Sequence, residues 1–171
     1  MIELAIAQEI VKEQSINAWN MMKDYLIRTH QEHLICKMGE MPIISWKKFG
    51  FRMAGRYCYY CFKDNINKDK KVLNDFIEMN INFLTVKDVE TFLKDTIRHE
   101  LAHCINKRVC NGDNHDKTWK NIARIIGDSG EIYHQYGRAK SYNSELKKQI
   151  RAEMTVEMTE LYNELSDEDF E

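Results

Sequence analysis

Residues 85–103 read TVKDVETFLKDTIRHELAH, and this stretch decides the fold around it. Val86, Val89, Leu93, Ile97 and Leu101 recur at helical spacing and make one apolar face. Thr85 followed by Asp88 gives a capping-box-like start, with Asp standing in for the longer Glu. His99 and His103 fall on a different face, with Phe92 and Thr96. Positions four apart on a helix lie nearly above one another, so both imidazoles can reach one metal ion. Glu100, between them in sequence, has the place of a general base that takes a proton from metal-bound water. The stretch therefore predicts a helix that buries one side in a core and turns two histidines towards a cleft.

A catalytic zinc keeps three protein ligands and one open position, so a third ligand must come from elsewhere. His115 is the leading candidate. It opens a further helix, 115–126, after the turn-forming Asn111-Gly112-Asp113-Asn114, which can fold the chain back onto the first two histidines. Asp116 is the next choice, with Asp113, Glu131 and His134 more distant. The metzincin pattern is excluded, because Asn106 replaces its Gly and Val109 stands where its third His belongs. Tyr133, His134 and Tyr136 are candidates to hydrogen-bond a tetrahedral intermediate, with a plain loop surface as the competing reading.

Outward from this centre, the first 35 residues read as helix with a break near Ser15. Ile6, Ile10, Trp19, Met22 and Leu26 form its apolar positions. Three strand candidates follow: Ile43 to Trp46, the aromatic-rich Arg56 to Phe62, and Ile77 to Phe83. In the last, Ile77, Met79, Ile81 and Phe83 alternate with Glu78, Asn80 and Asn82, the period of a half-buried strand. The metal helix should run to Asn106 or Lys107. Trp119, Ile122, Ala123 and Ile126 form the stripe of the helix after it. Gly127 to Tyr142 reads as loop, and 144–171 as an acidic helix with an apolar seam. Cys58 and Cys61 form a CxxC, but three residues apart on a strand they face opposite ways, which favours packing over a second metal site.

The stretches His99-Glu100-Leu101-Ala102-His103 and Gly112-Asp113-Asn114-His115-Asp116-Lys117-Thr118-Trp119-Lys120 resemble the SprT-like metallopeptidases, which include DNA-dependent proteases of the Spartan type. Phe49 to Arg56 and Asn82-Phe83-Leu84 are similar to the family's approach to its metal helix, so the resemblance covers roughly 40–127. It implies His99, His103 and His115 as zinc ligands and Glu100 as general base. It further implies an α+β fold, with a small antiparallel three-stranded sheet beside the HExxH helix. On this reading 1–171 is a single domain, its core flanked by N-terminal helices over 1–36 and the acidic C-terminal helix. No cysteine follows Cys110, so no C-terminal zinc ribbon is expected. The implied function is a zinc-dependent endopeptidase acting on protein substrates, including proteins at or crosslinked to DNA. The alternative is a zinc-containing binding module with little proteolytic activity.

Composition agrees with a globular chain of one domain: 171 residues, 43% hydrophobic and 30% charged. No apolar run is long enough to span a bilayer, and the start lacks a signal-peptide pattern, so a cytoplasmic location is expected. Five cysteines, an odd number, fit a reducing compartment. The net charge of -2 hides an asymmetry. All 25 Lys and Arg lie within 1–151 with 19 of the 27 acids, an excess of six positive charges, and the last twenty residues carry eight acids and no base. Lys47, Lys48, Arg52 and Arg56 stand beside Trp46, Phe49 and Phe51, and Lys68, Lys70 and Lys71 form a second group. Such interleaving suits phosphates and unpaired bases, although buried aromatics ringed by surface lysines give the same pattern.

Overall fold

The computed structural model describes residues 2–50, 53–63, 71–86, 88–112 and 115–130. The expected helix over 144–171, together with Phe51, Arg52, Lys68, Lys70, Asp113, Glu131, Tyr133, His134 and Tyr136, lies outside the described residues. Helix α1 (Leu4–Arg28) is followed by a 3-10 turn and the single-turn α2 (Ile35–Met38). Then come β1 (Ile43–Lys47), β2 (Gly55–Lys63), β3 (Lys71–Asn80), α3 (Val89–Ile105) and α4 (Lys117–Ile125).

Helix α1 runs through Ser15 without a break. The Ser15 hydroxyl donates to the Val11 carbonyl at 2.6 Å, so its buried polar atom is satisfied inside the helix. The buried stripe is Ala7, Val11, Ala18, Trp19, Met22 and Leu26, and Ile6, expected inside, is 51% exposed. This stripe lies on α3, whose Leu93, Ile97 and Leu101 face the same core as expected. Trp119, Ile122 and Ile126 close it from the α4 side, and Trp46, Ile77 and Met79 from the sheet. Phe83, Val86 and Phe92 form a satellite cluster under Ala54.

The fold is α+β, but the sheet is mixed rather than antiparallel. Its order is β1-β3-β2, with β2 antiparallel to β3 and β1 parallel to it. The end of β1 (Lys47) and the start of β2 (Gly55) pair beside Asn80 and Met79 on opposite flanks of β3, and Phe49, Gly50, Met53 and Ala54 bond to Asn80 at its end. The surroundings of β3 explain a second departure. Glu78, Asn80 and Asn82, expected on a solvated face, are buried, Glu78 and Asn80 to 1% exposure. The Asn80 amide donates to the carbonyls of Phe49 (3.0 Å) and Met53 (2.7 Å), and that of Asn82 to Phe49 (2.8 Å). Glu78 accepts from Lys47 at 2.8 Å and from Arg56 at 2.5 Å. Polar residues can alternate inside a protein when each finds its partner.

The third strand stops at Asn80, and Ile81–Phe83 form a 3-10 turn instead of continuing it. The start of α3 also differs. It begins at Val89, after Asp88 in the left-handed region (φ 57°) and with no side-chain cap, so Thr85 does not open the helix. At its far end α3 passes into a π-helical turn, Asn106–Cys110, ahead of Asn111 in the left-handed region.

Candidate metal centre

Helix α3 brings His99 and His103 onto one side, as their spacing requires, and the return of the chain sets His115 against them. The Nε2 of His99 lies 3.3 Å from that of His103 and 3.1 Å from that of His115. Tetrahedral coordination at Zn–N distances of about 2.05 Å places ligand nitrogens about 3.3 Å apart, so this donor set fits one zinc-sized ion. The three histidines form a group that could hold a metal ion. Trp119, wholly buried, is their floor, with ring centroids 4.8, 5.1 and 4.5 Å from His99, His103 and His115.

Burial lowers the pKa of His103 to about 3, with His115 adding to the shift. Burial, and then Lys120, also lowers that of His115. Both rings are therefore neutral at neutral pH, the form in which imidazole binds a metal.

His115 is placed by an unusual backbone. It lies at φ 56°, outside α4, which starts two residues later than expected, at Lys117. Asp116, the alternative ligand, is occupied elsewhere: its carboxylate accepts from the Trp119 N–H at 2.7 Å and caps α4. The same oxygen accepts from the Asn106 amide at 3.3 Å. Asn106 is itself covered by Gly112, where an added Cβ would fall 2.5 Å from the Asn106 side chain. Asn106 and Gly112 thus fix the loop that delivers His115. The sequence marks Asn106 as a departure from another motif and as a possible helix end, and carries no signal of this supporting role.

Glu100 is buried beside the histidines, and its Oε2 accepts from the backbone N–H of Tyr57 on β2 at 2.8 Å. The close approach needs Gly55, where a Cβ would meet Thr96 Cγ2 at 2.9 Å and Glu100 Cγ at 3.1 Å. Burial pushes the Glu100 carboxyl up to about 8, against the Tyr57 N–H and with help from the negative charge of Asp128. The Tyr57 phenol donates to Asp75 at 2.7 Å. Asp75 also takes two guanidinium nitrogens of Arg108, whose remaining nitrogen reaches the carbonyls of Met38 and Glu40. One network therefore ties the strand beside Glu100 to the turn after the metal helix. The sequence holds no signal for the Tyr57 contact, because a backbone N–H has none.

The described part of the basic and aromatic group around β1 combines a buried ring with exposed cations. Trp46 is core, while Lys47 and Arg56 share Glu78, and the Arg56 guanidinium lies 5.0 Å from the Phe49 ring centroid. Cys58 is half-buried near Glu78, and Cys104 is buried against Asp75. Among the described residues the three histidines are the sole cluster of metal-ligating type. No described helix is long and apolar enough to cross a membrane.

The SprT-like family model matches residues 25–156. No curated protein and no solved structure matches the chain.

Proposed function

The chain belongs to the SprT-like family, and from that premise we propose that it is a zinc-dependent endopeptidase. The observation that supports this best is the convergence of the His103 and His115 Nε2 atoms on that of His99, at 3.3 and 3.1 Å, with Glu100 buried at the next position of the same helix. His99, His103 and His115 would hold the ion. When bound, zinc polarises a carbonyl and lowers the pKa of water. The Glu100 carboxyl, raised in the metal-free chain, falls towards the ordinary carboxylate range once a divalent charge sits nearby. Its Oε2 is held by the Tyr57 N–H, which leaves Oε1 to take the proton of the attacking water and pass it to the leaving amine. The buried Trp119 beneath the ligands keeps water from reaching them from the core side.

A binding module has no use for a buried carboxylate at this position, since the single Tyr57 N–H does not offset the cost of burying it. Proteins at or crosslinked to DNA are the substrates we propose, on the excess of positive charge in residues 1–151 and the family resemblance. A cleavage assay with added zinc, with and without single-stranded DNA, tests both parts. Wild type should cleave, and Glu100→Gln should keep zinc while losing cleavage by at least about 100-fold. Full activity in that variant removes the mechanism, and activity indifferent to DNA removes the DNA link alone.

A further inference from the structure

We propose that Asp128 is a positioning residue of the metal centre, its buried carboxylate holding the His99 ring so that Nε2 points at the ion. The inference rests on reading the three histidines as a zinc site. Asp128 is 8% exposed, and its Oδ2 lies 3.9 Å from Nδ1 of His99, on the side of the ring away from the other histidines. That separation is about 1 Å beyond a charge-assisted hydrogen bond.

The carboxylate is built into place. Its Oδ1 accepts from the Gly130 N–H at 2.6 Å, and the Asp128 N–H donates to the Ala123 carbonyl at 2.9 Å. The preceding residue, Gly127, turns at φ 84°, a conformation that glycine adopts without strain. Its carbonyl accepts from Arg98 Nη1 at 3.0 Å, while Arg98 Nη2 donates to the buried Gln14 at 2.7 Å. Helices α1 and α3 therefore both pin the turn that carries Asp128.

A ligating imidazole that donates its second ring N–H to a carboxylate is held in one tautomer and one orientation, and is the better base for it. Asp128 is the buried carboxylate next to the second nitrogen of the most buried ligand. It stands outside the group of three histidines that could hold the ion, so its influence on that group runs through His99.

The test is zinc affinity, measured on the full chain by competition with a chromogenic chelator. Asp128→Asn keeps the size of the side chain and an acceptor for Gly130, and removes only the charge. We expect it to weaken zinc binding by about 10–100-fold. In a His115→Ala background the same loss should appear, and in a His99→Ala background none. Wild-type affinity in Asp128→Asn overturns the proposal, as does an equal loss when His99 is absent. A second measurement needs no variant. In the zinc-loaded wild type, the ring nitrogens of His99 should show a proton on Nδ1 by long-range proton–nitrogen NMR. A proton on Nε2 overturns the proposal even if Asp128→Asn does not fold. Failure of the wild type to bind zinc sinks the zinc reading and this inference together, whereas bound zinc with an indifferent Asp128→Asn sinks only the role of Asp128.

Discussion

The backbone N–H of Tyr57 donates to Oε2 of Glu100 at 2.8 Å, joining an edge strand to helix α3 at the carboxylate that lies between His99 and His103 in sequence. The contact exists because Gly55 lets β2 come close to α3, and the phenol of the same Tyr57 donates to Asp75.

Gly55→Ala should therefore damage turnover more than metal binding. Its Cβ would stand 2.9 Å from Thr96 Cγ2 and 3.1 Å from Glu100 Cγ, neither of which is the free end of a flexible chain. Overpacking of this kind costs about 1–3 kcal/mol of stability. Misplacing a catalytic group by about 1 Å costs about 100-fold in rate. Measured kcat should fall steeply while zinc content stays near that of wild type. An unchanged kcat would show that Glu100 is not held from this side.

Gly112→Ala should do the reverse. The added carbon collides with Asn106, which holds Asp116 and so the backbone of His115. The loop must shift, and zinc affinity should drop by about 10-fold, as when the support of a ligand is lost. Isothermal titration of zinc into the metal-free variant reads this directly. Asn106→Ala should give a loss in the same direction.

The metal-free chain should lose stability as pH rises from about 6.5 to 8. Glu100 keeps its proton to about 8 when folded, against 4.5 for the ordinary group, so the folded state binds the extra proton in that window. Stability from a raised carboxyl is complete below the unfolded value and is lost as pH rises through the folded one. His103 acts oppositely below 6.5: its folded value near 3 means that the unfolded state takes up the proton as pH falls. The two offset each other between about 4.5 and 6.5, leaving the Glu100 slope visible above it. Thermal midpoints of metal-free wild type across pH 6.5–8 should decline, and those of Glu100→Gln should stay level.

Arg108→Met should destabilise the whole fold. Asp75 is buried, and although burial alone would raise its pKa, the Arg108 and Tyr57 hydrogen bonds hold it below the usual carboxylate range. Removing Arg108 leaves that charge without its main partner, a loss of about 3–5 kcal/mol. Arg108→Lys should recover only part of this, because an ammonium cannot bond both carboxylate oxygens and two carbonyls in one plane. Urea unfolding of the three proteins measures the order.

Much of the centre was legible because helix geometry is local. A spacing of four residues sets His99 and His103 side by side whatever the rest of the chain does, and the apolar set Leu93, Ile97 and Leu101 turns away from them. The strands were legible as strands, but their direction was not, since alternation encodes which face is buried and says nothing of polarity. Glu78, Asn80 and Asn82 were misread for a related reason. Their polarity is visible in the sequence, and the partners that reach them from Lys47, Phe49, Met53 and Arg56 are not.

By itself, then, the sequence determined the pair of imidazoles, the carboxylate beside them and the helix that carries all three, since each depends only on spacing along one element. Tertiary structure decided what that pair faces. His115 joins the histidine pair, and Asp116 next to it does not, because a left-handed backbone at one residue and a helix cap at the other aim adjacent side chains apart. The Tyr57 N–H on Glu100 and the Asp128 carboxylate behind His99 belong to the same class. Such contacts join residues distant in the chain, and only the packing of α1, α3, α4 and the sheet brings them within reach.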